Sequence, residues 1–414
     1  MYARKRLDIG WLDLGAGLAA CATAGDRDRL ARDVEGWFER ADRGRGALAC
    51  LSVRSGLDVA LRALALPRGS EVLVSALTIP DMWKVLEHHG LVPVPLDVDP
   101  RTLAPRIEDA RAASGRTRAL LVAHLFGTRV PLAPWARLAR ERGWLLLEDC
   151  AQAFTGPEWT GEPDADLSMF SFGPIKTAAA LAGGVLLVRD AALLARMREL
   201  ERAMPVQPTA PFARRIVKYA GLKAISTRAG YALFVRGTAA LGKDHDVVIQ
   251  GSVRGFAGGE FFEKIRHRPS AALCALMLRR LRASGGARVR ARAAAGEALR
   301  ARIGRAVEVA GDEAPFRSHW VVAVACDDPD RLVALAREDG FDATRAATLR
   351  AVPPPPDRPE LAAREAERLV ARLVYLPVYP ELPERAIERL AEVVRRSAAG
   401  PRPVRARGVG VEPA

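Results

Sequence analysis

Short, wholly apolar runs recur along the first half of the chain, and polar side chains follow several of them. Residues 144–147 form one run and lead into Asp149, while residues 167–172 form another and lead into Lys176. Residues 185–188 form a third run. Continuous apolar runs of this length are typical of strands buried on both faces of a parallel sheet. Polar residues that follow such strands lie where open α/β sheets bind their ligands.

Helical patterns separate these strands along the chain. Apolar runs at 71–74 and 119–125 alternate with helix-forming stretches at 26–40, 59–66 and 132–142. Alternation of this kind predicts an α/β fold in which a mostly parallel sheet is flanked by helices.

The second half predicts a smaller α+β domain, with a strand at 320–325 and helices at 329–338 and 384–396. A chain of 414 residues exceeds one typical hydrophobic core, so two domains are the natural expectation. The predicted divisions are a large domain over 1–265, a connecting helical region over 266–310, a small domain over 311–399 and a disordered tail over 400–414.

Asp149 and Lys176 are the residue types that pyridoxal phosphate chemistry requires. Such an enzyme needs a lysine that binds the cofactor aldehyde covalently. It also needs a carboxylate that keeps the pyridine nitrogen protonated, so that the ring withdraws electrons. Lys176 considered alone fits an ordinary surface lysine after a buried strand. The register of Gln152, Ser171 and the glycine pair 183–184 with these two residues favours the functional interpretation.

The same segment resembles the DegT/DnrJ/StrS-type sugar aminotransferases, which are fold-type-I pyridoxal phosphate enzymes. Their strand-end motif is Glu-Asp-Ala-Ala-Gln-Ala-His-Gly, and residues 148–155 read Glu-Asp-Cys-Ala-Gln-Ala-Phe-Thr. Their lysine motif is Phe-Ser-Phe, two or three residues, then Lys-Asn, and residues 170–177 read Phe-Ser-Phe-Gly-Pro-Ile-Lys-Thr. The resemblance extends over nearly the whole chain, except roughly 204–260.

The resemblance implies a role for each matching residue. Lys176 is the catalytic lysine that carries the cofactor, and Asp149 is the partner of the pyridine nitrogen. Gln152 lies beside the phenolic oxygen of the cofactor, and Ser171 binds its phosphate.

A Ser-Gly pair, Ser55-Gly56, stands before the helix predicted over 59–66 and resembles the family's phosphate-binding turn. Free backbone N–H groups at a helix N-terminus suit a phosphate. Leu57 replaces the family's threonine, so the resemblance implies backbone contacts at Gly56, Leu57 and Asp58 without the hydroxyl. A plain strand–helix turn is the alternative.

Other positions depart from the family pattern. Ile79 occupies the cofactor-binding position at which the family has an aromatic residue stacked on the pyridine ring, and an isoleucine packs on a ring without stacking as an arene does. Trp83 is predicted to belong to the core and His124 to be structural. Thr177 replaces the asparagine that follows the family's lysine.

The charge and the cysteine content bear on the binding partners and the cellular compartment of the protein. The formal net charge of +14 suits a nucleic acid, an acidic membrane or a phosphorylated substrate as partner. The arginines of the chain are spread along Ala-rich stretches, however, and this distribution favours none of these partners over the others. We predict no nucleic-acid partner. The cysteines are odd in number and show no Cys-x-x-Cys spacing, which predicts reduced thiols, a cytoplasmic protein and no metal site. They are Cys21, Cys50, Cys150, Cys274 and Cys326.

Residues 204–260 form a divergent basic insertion. Within it, residues 212–243 hold seven Lys or Arg residues and no acid, with apolar residues between them. This pattern fits either helices packed on protein or a basic amphipathic membrane surface. Gly221, Gly230 and Gly237 interrupt it, and each costs a helix about 1 kcal/mol relative to alanine. Packing against protein is therefore favoured.

These observations predict an aminotransferase that moves an amino group from an amino acid, with glutamate preferred, to a keto-sugar carried on a nucleotide. The resemblance further implies a homodimer and a role in cell-surface polysaccharide or secondary-metabolite biosynthesis. Two alternatives stay open. One is a pyridoxal phosphate sugar dehydratase, although such family members typically replace the lysine with histidine. The other is a degenerate homologue that serves as a regulatory or membrane-associated binding protein.

Overall fold

A seven-stranded sheet forms the centre of the first half of the chain. The computed structural model describes residues 1–42, 44–111, 113–242, 260–346 and 348–399. The order of the strands in this sheet is β1-β8-β7-β6-β5-β2-β4. The strands of the first half are β1 (Gly46–Cys50), β2 (Glu71–Ser75), β3 (Leu77–Thr78), β4 (Val92–Leu96), β5 (Thr117–Ala123), β6 (Leu145–Asp149), β7 (Leu167–Ser171) and β8 (Gly184–Val188).

The central sheet is mostly parallel, as predicted. Strand β6 pairs in parallel with β5 and β7, and β2 pairs in parallel with β4 and β5. Strand β8 alone runs the other way, because it pairs antiparallel with both β1 and β7. The carboxyl ends of β6 and β7 therefore meet at one edge of the sheet, which we call the strand-end edge.

Helices cover both faces of the central sheet. Clusters of buried apolar side chains lie on each face, one beneath α1, α2, α8 and α11 and another beneath α3, α4 and α7. The helices through residue 282 are α1 (Trp11–Thr23), α2 (Arg27–Asp42), α3 (Val53–Leu64), α4 (Pro80–His88), α5 (Ile107–Arg111), α6 (Ala133–Arg142), α7 (Ala191–Arg202), α8 (Thr209–Ile225), α9 (Arg228–Ala240), α10 (Phe261–Ile265) and α11 (Ala271–Arg282).

The last part of the chain builds a second sheet, antiparallel and four-stranded, in the order β11-β13-β10-β9. Helices α12, α13 and α15 supply its apolar cover. A separate pairing of β12 with β3 joins this part to the first half. The elements are α12 (Ala287–Ile303), β9 (Glu308–Val309), β10 (Val322–Ala325), α13 (Pro329–Glu338), β11 (Thr344–Arg345), β12 (Arg350–Ala351), a 3₁₀ turn (Pro359–Leu361), α14 (Arg364–Arg372), β13 (Leu373–Leu376) and α15 (Glu384–Ala398).

The chain before α1 crosses from the second sheet to the first. Tyr2 stacks on Phe341 with the ring centroids 5.1 Å apart, and Arg4 donates to Asp342 at 2.7 Å. Farther along, Asp8 accepts a hydrogen bond from the amide of Ala178 at 3.0 Å, just beyond Lys176. We call residues 1–10 the N-terminal strap, because they touch both halves of the molecule.

The basic insertion forms helices α8 and α9 within its described part. Phe212, Ile216 and Tyr219 of α8 are buried, and α8 packs on α1, whereas α9 buries only Tyr231 among its large apolar residues. The remainder of the insertion, 243–259, and the tail over 400–414 lie outside the described residues. None of the helices in the described ranges is long and apolar enough to cross a membrane.

Candidate active site

Asp149 and Lys176 lie at the ends of neighbouring parallel strands. Asp149 is the last residue of β6, and its Oδ1 accepts the amide of Ala151 at 2.9 Å. Lys176 follows β7 in a turn that is closed by its own amide donating to the carbonyl of Gly173 at 3.1 Å. The sheet topology thus brings together the two residues that the sequence motifs singled out.

The electrostatics of this pair are set by burial. Burial lowers the pKa of Lys176, Asp149 opposes this, and the cation of Arg54 adds to the lowering, so that the pKa is about 8. Burial raises the pKa of Asp149, although the hydrogen bond from the amide of Ala151 and the charge of Lys176 act to lower it. An amine with this pKa is substantially neutral near pH 8, which is the state that attacks a carbonyl.

A buried polar network fixes the end of β6 behind Asp149. Val130 donates its amide to Nδ1 of His124 at 3.0 Å, so Nε2 carries the proton and donates to Glu148 at 2.8 Å. Ser168 also donates to Glu148. Although burial would raise it, these bonds lower the pKa of Glu148. With Cys150 these side chains form a cluster of metal-ligand types, but both histidine nitrogens are engaged, which supports the predicted structural role.

Gln152 is oriented by a backbone contact. Its Oε1 accepts the amide of Phe126 at 2.8 Å. Since an amide donor requires the oxygen at this position, the Nε2 group is fixed as the side-chain donor. Gln152 therefore offers N–H groups at the strand-end edge, three residues after Asp149, and such groups suit an anionic oxygen of a ligand.

The glycine at the start of β8 brings a helix terminus against the sheet. In the sheet register Gly184 lies between Cys50 and Ser171. A Cβ atom at Gly184 would lie 2.8 Å from the nitrogen of Val53 and 2.9 Å from the carbonyl carbon of Ser52, so only glycine permits this approach. Ser171 and the N-terminus of α3 consequently lie at the same end of the sheet.

Helix α3 begins at Val53, six residues before the predicted start at 59. Ser52 caps it by accepting the amide of Ser55 at 3.2 Å, and the amide of Gly56 donates to Ser52 at 3.0 Å. Gly56 is thus inside the first turn, and helical hydrogen bonding likewise occupies the amides of the next two residues. The first-turn amides left for an anion are those of Val53 and Arg54.

Leu57 and Asp58 are fully buried, with no exposed fraction. Asp58 accepts hydrogen bonds from His89 at 3.0 Å and Arg266 at 2.9 Å. Burial would raise its pKa, but these bonds hold the pKa of Asp58 at about 2. This carboxylate therefore ties α3 to α4 and to the chain after α10, rather than facing the strand-end edge.

The position predicted to lie against the cofactor ring holds an aliphatic side chain, and an aromatic ring near the lysine comes from elsewhere in the chain. Ile79 is partly buried and precedes α4 as its N-cap, packed on the core beneath α3. Trp83 is in that core, as predicted. The aromatic ring that reaches the lysine is Trp320, whose centroid lies 4.4 Å from Nζ of Lys176 and whose Nε1 donates to Ile175 at 3.0 Å.

Four residues of the site were not assigned from sequence: Lys5, Arg54, Arg292 and Trp320. Each comes from a different segment, and all four lie more than 100 positions from Lys176 along the chain. The one local signal was Arg54, a cation in the stretch before Ser55-Gly56.

The donor set fits pyridoxal phosphate. The cofactor carries an aldehyde, a phenolic oxygen, a ring nitrogen and a phosphate. The strand-end edge presents an amine of lowered pKa, a fixed amide donor, a partly buried carboxylate and, beside Gly184, a helix N-terminus with the Ser171 hydroxyl. For each group of the cofactor, the strand-end edge thus offers a side chain or helix terminus of matching chemistry.

Comparison with known proteins finds a family model that matches part of the chain. Residues 30–223 match the model described as the DegT/DnrJ/EryC1/StrS aminotransferase family. A curated relative, a UDP-N-acetyl-3-dehydro-alpha-D-glucosamine 3-aminotransferase of Acidithiobacillus ferrooxidans, is 35% identical over 158 residues, or 37% of this chain. The chain spans only 42% of the length of that relative.

Solved structures share the fold over almost the full length. The Helicobacter pylori aminotransferase PseC, involved in pseudoaminic acid biosynthesis, superposes with a TM-score of 0.71, covering 96% of this chain and 99% of that one at 15% identity. An E. coli GDP-4-keto-6-deoxy-D-mannose-3-dehydratase with bound hydrated PLP gives 0.68, covering 95% and 99% at 17% identity. At such identities these likenesses establish the fold alone, and this confirms the fold-type-I prediction.

Proposed function

Because residues 30–223 match the model of the DegT/DnrJ/EryC1/StrS aminotransferase family, we propose that the chain is a pyridoxal phosphate-dependent aminotransferase. The observation that carries this proposal is Lys176, an amine of lowered pKa beside Asp149 at the ends of β7 and β6. Bound pyridoxal phosphate would supply the electron sink for amino transfer.

Each residue of the strand-end edge would have its own role in binding the cofactor or in proton transfer. Lys176 Nζ would bind the cofactor aldehyde and then move a proton on and off the substrate carbon as general base and acid. The Asp149 carboxylate would hold the proton of the ring nitrogen, and Gln152 Nε2 would donate to the phenolic oxygen. Ser171 and the amides of Val53 and Arg54 would hold the phosphate.

For substrates, we propose an amino acid, with glutamate preferred, as donor and a nucleotide-linked keto-sugar as acceptor. The names of the Acidithiobacillus relative and of PseC support an acceptor of sugar type. Arg54, whose cation acts on Lys176, suits an anionic, diphosphate-bearing substrate. Cell-surface polysaccharide or secondary-metabolite pathways are the proposed setting, and a cytoplasmic homodimer is the proposed form of the enzyme.

The test is a visible absorbance spectrum of the purified protein, followed by borohydride reduction and peptide mapping. We expect an absorbance band above 320 nm, the reduced label on Lys176, and an aminated sugar as product when glutamate is supplied. Label on a different lysine contradicts the residue assignment. A bound cofactor with a dehydrated, unaminated product would establish the dehydratase alternative, and a protein that takes up no cofactor would establish the non-catalytic one.

A further inference from the structure

Two lysine ammonium groups share one indole ring at the edge of the candidate site. Nζ of Lys5, from the N-terminal strap, lies 3.7 Å from the centroid of Trp320 and donates to its carbonyl oxygen at 3.3 Å. Nζ of Lys176 lies 4.4 Å from the same centroid. The two amines are therefore no farther apart than the sum of those two distances, which is within the reach of a small bifunctional molecule.

Arg292 of α12 adds a third cation, and part of it is unsatisfied. Its Nη1 donates to Oγ of Thr177 at 3.3 Å, and its Nε donates to the carbonyl of Ser318 at 3.0 Å. The residue is only 8% exposed, yet its buried Nη2 has no hydrogen-bond partner among the described residues. A buried donor on a charged group is costly to leave unpaired, so this geometry calls for an acceptor.

Asp8, the acid that acts on two of these cations, already accepts hydrogen bonds from other groups. Asp8 is the carboxylate that acts on both Lys5 and Arg292. Its oxygens also accept Arg280 at 3.2 Å and the amide of Ala178 at 3.0 Å. Burial, Arg292 and Lys176 together lower the pKa of Lys5 well below its ordinary value. Asp149 acts on Lys176, whereas Lys5 and Arg292 share Asp8. A further anion beside the Arg292 cation would favour the protonated form of Lys5, so this pair suits a second carboxylate.

We propose that Lys5 and Arg292 form a subsite for a carboxylate of the amino-acid donor, with the indole of Trp320 beside it. This rests on the proposed function, because the amine of that donor must reach the cofactor held at Lys176. The free Nη2 of Arg292 and the ammonium of Lys5 offer one donor to each oxygen of a carboxylate.

A diphosphate is the competing anion, and the site fits it less well. Two phosphates present more oxygens and more charge than one free guanidinium nitrogen and one ammonium can satisfy. The strap therefore contributes a specificity-determining residue, Lys5, to a site that is otherwise built from the sheet and from α12.

The test measures binding to the holoenzyme by titration calorimetry. The probe is glutarate, which has two carboxylates but no amine and so binds without turnover. We expect Lys5→Met and Arg292→Gln each to weaken glutarate binding at least tenfold, with affinity for inorganic phosphate changed less than twofold. In steady-state assays, Lys5→Met should raise KM for the amino donor while KM for the sugar acceptor and kcat stay near the parent values. Lys218→Met, on the exposed side of α8, is the matched control and should leave glutarate affinity unchanged.

Lys5→Met keeps the test decisive if Arg292→Gln fails to fold, since Lys5 is only partly buried. Equal glutarate affinity in the parent and in Lys5→Met would overturn the proposal. So would a loss of phosphate or UDP binding with glutarate binding retained, which would assign the subsite to the acceptor. Failure of the proposed function is seen separately, because the parent would then show no cofactor absorbance or form no aminated sugar, whatever its glutarate affinity.

Discussion

The strand-end edge and the helical pair α8–α9 both contain basic residues, but the two regions differ in how far their side chains are exposed to solvent. At the edge, Lys176 is partly buried, and its surroundings lower its pKa to about 8. On α9, by contrast, Leu233 is 72% exposed, and just beyond it Leu241 is 73% exposed. A charged group is thus partly removed from solvent at the edge, where chemistry is proposed, although this costs free energy. On α9 even apolar side chains remain in solvent. Substitutions should therefore have large effects at the edge and small ones on α9.

The largest effect is expected from Lys176→Ala. This change removes the covalent attachment of the cofactor together with a proton transfer that is worth about 10²–10⁴-fold. Turnover should fall by more than about 10⁴-fold, measured as aminated product per enzyme with glutamate as donor. Lys218→Ala, an exposed lysine of α8, should behave like the parent. Activity within tenfold of the parent would remove Lys176 from its proposed role.

The second-largest effect on turnover is expected from Asp149→Asn. An uncharged side chain cannot hold the ring nitrogen proton, so kcat should fall about 10²–10³-fold, while cofactor absorbance persists. The matched control is Asp164→Asn, a half-exposed acid in the loop between β6 and β7 that pairs with Arg140. Parent-like kcat in Asp149→Asn would show that another group governs the ring nitrogen.

His124→Ala should destabilise the fold. It would leave Glu148, which is 1% exposed, without its main side-chain donor. Removing one partner from a buried pair costs about 3 kcal/mol in free energy of unfolding, which chemical denaturation can measure. A parallel His267→Ala variant should stay within about 0.5 kcal/mol of the parent, as expected for a residue away from such pairs. A loss below about 1 kcal/mol in His124→Ala would show that the network is not a structural support.

Cofactor uptake should depend on pH. Lys176 is protonated below a pKa of about 8 and neutral above it. Because only the neutral amine attacks the aldehyde, the rate of cofactor uptake by stripped protein should rise with pH, with a midpoint near 8. Asp149 raises this pKa, so Asp149→Asn should move the midpoint to lower pH. Stopped-flow absorbance checks both points, and a rate that falls as pH increases would contradict them.

The smallest effect is expected on α9. Leu233→Ser should change the free energy of unfolding by no more than about 0.5 kcal/mol, since Leu233 is 72% exposed. Phe212→Ala on α8 is the contrast, because Phe212 is fully buried and its truncation should cost about 3–5 kcal/mol. We also expect neither the parent nor Leu233→Ser to sediment with anionic vesicles. Salt-sensitive sedimentation that Leu233→Ser abolishes would favour a membrane surface over packing on protein.

How far the sequence could predict the site depends on whether the contacts are local. The strands at 145–149 and 167–171 were predictable because both faces of a central strand are apolar, and the residues after them were placed by the sheet. The start of α3 was predicted six residues late because Ser55-Gly56 resembles a turn in sequence, and because Asp58, just before Val59, is as good a cap as Ser52. The close approach that Gly184 permits is a tertiary contact, and it places the helix N-terminus at Val53.

The remaining parts of the site come from distant positions. Trp320, Arg292 and Lys5 carry no pattern that links them to Lys176, because their proximity results from the packing of the second sheet and the strap. A periodicity in the sequence reports only neighbours within an element. Long-range assembly of this kind therefore could not be inferred from one chain without coordinates.

The N-terminal strap has a consequence for the order of events during synthesis. Arg4 pairs with Asp342 across a separation of 338 residues, and Asp8 holds the amide of Ala178 across 170. The strap leaves the ribosome well before its partners, and Asp342 emerges only after the whole central sheet has been translated. Contacts of such separation form late, since their loop-closure entropy is compensated only after the intervening parts have folded. The nascent chain should therefore complete its central sheet well before the loop that carries Lys176 reaches its final shape.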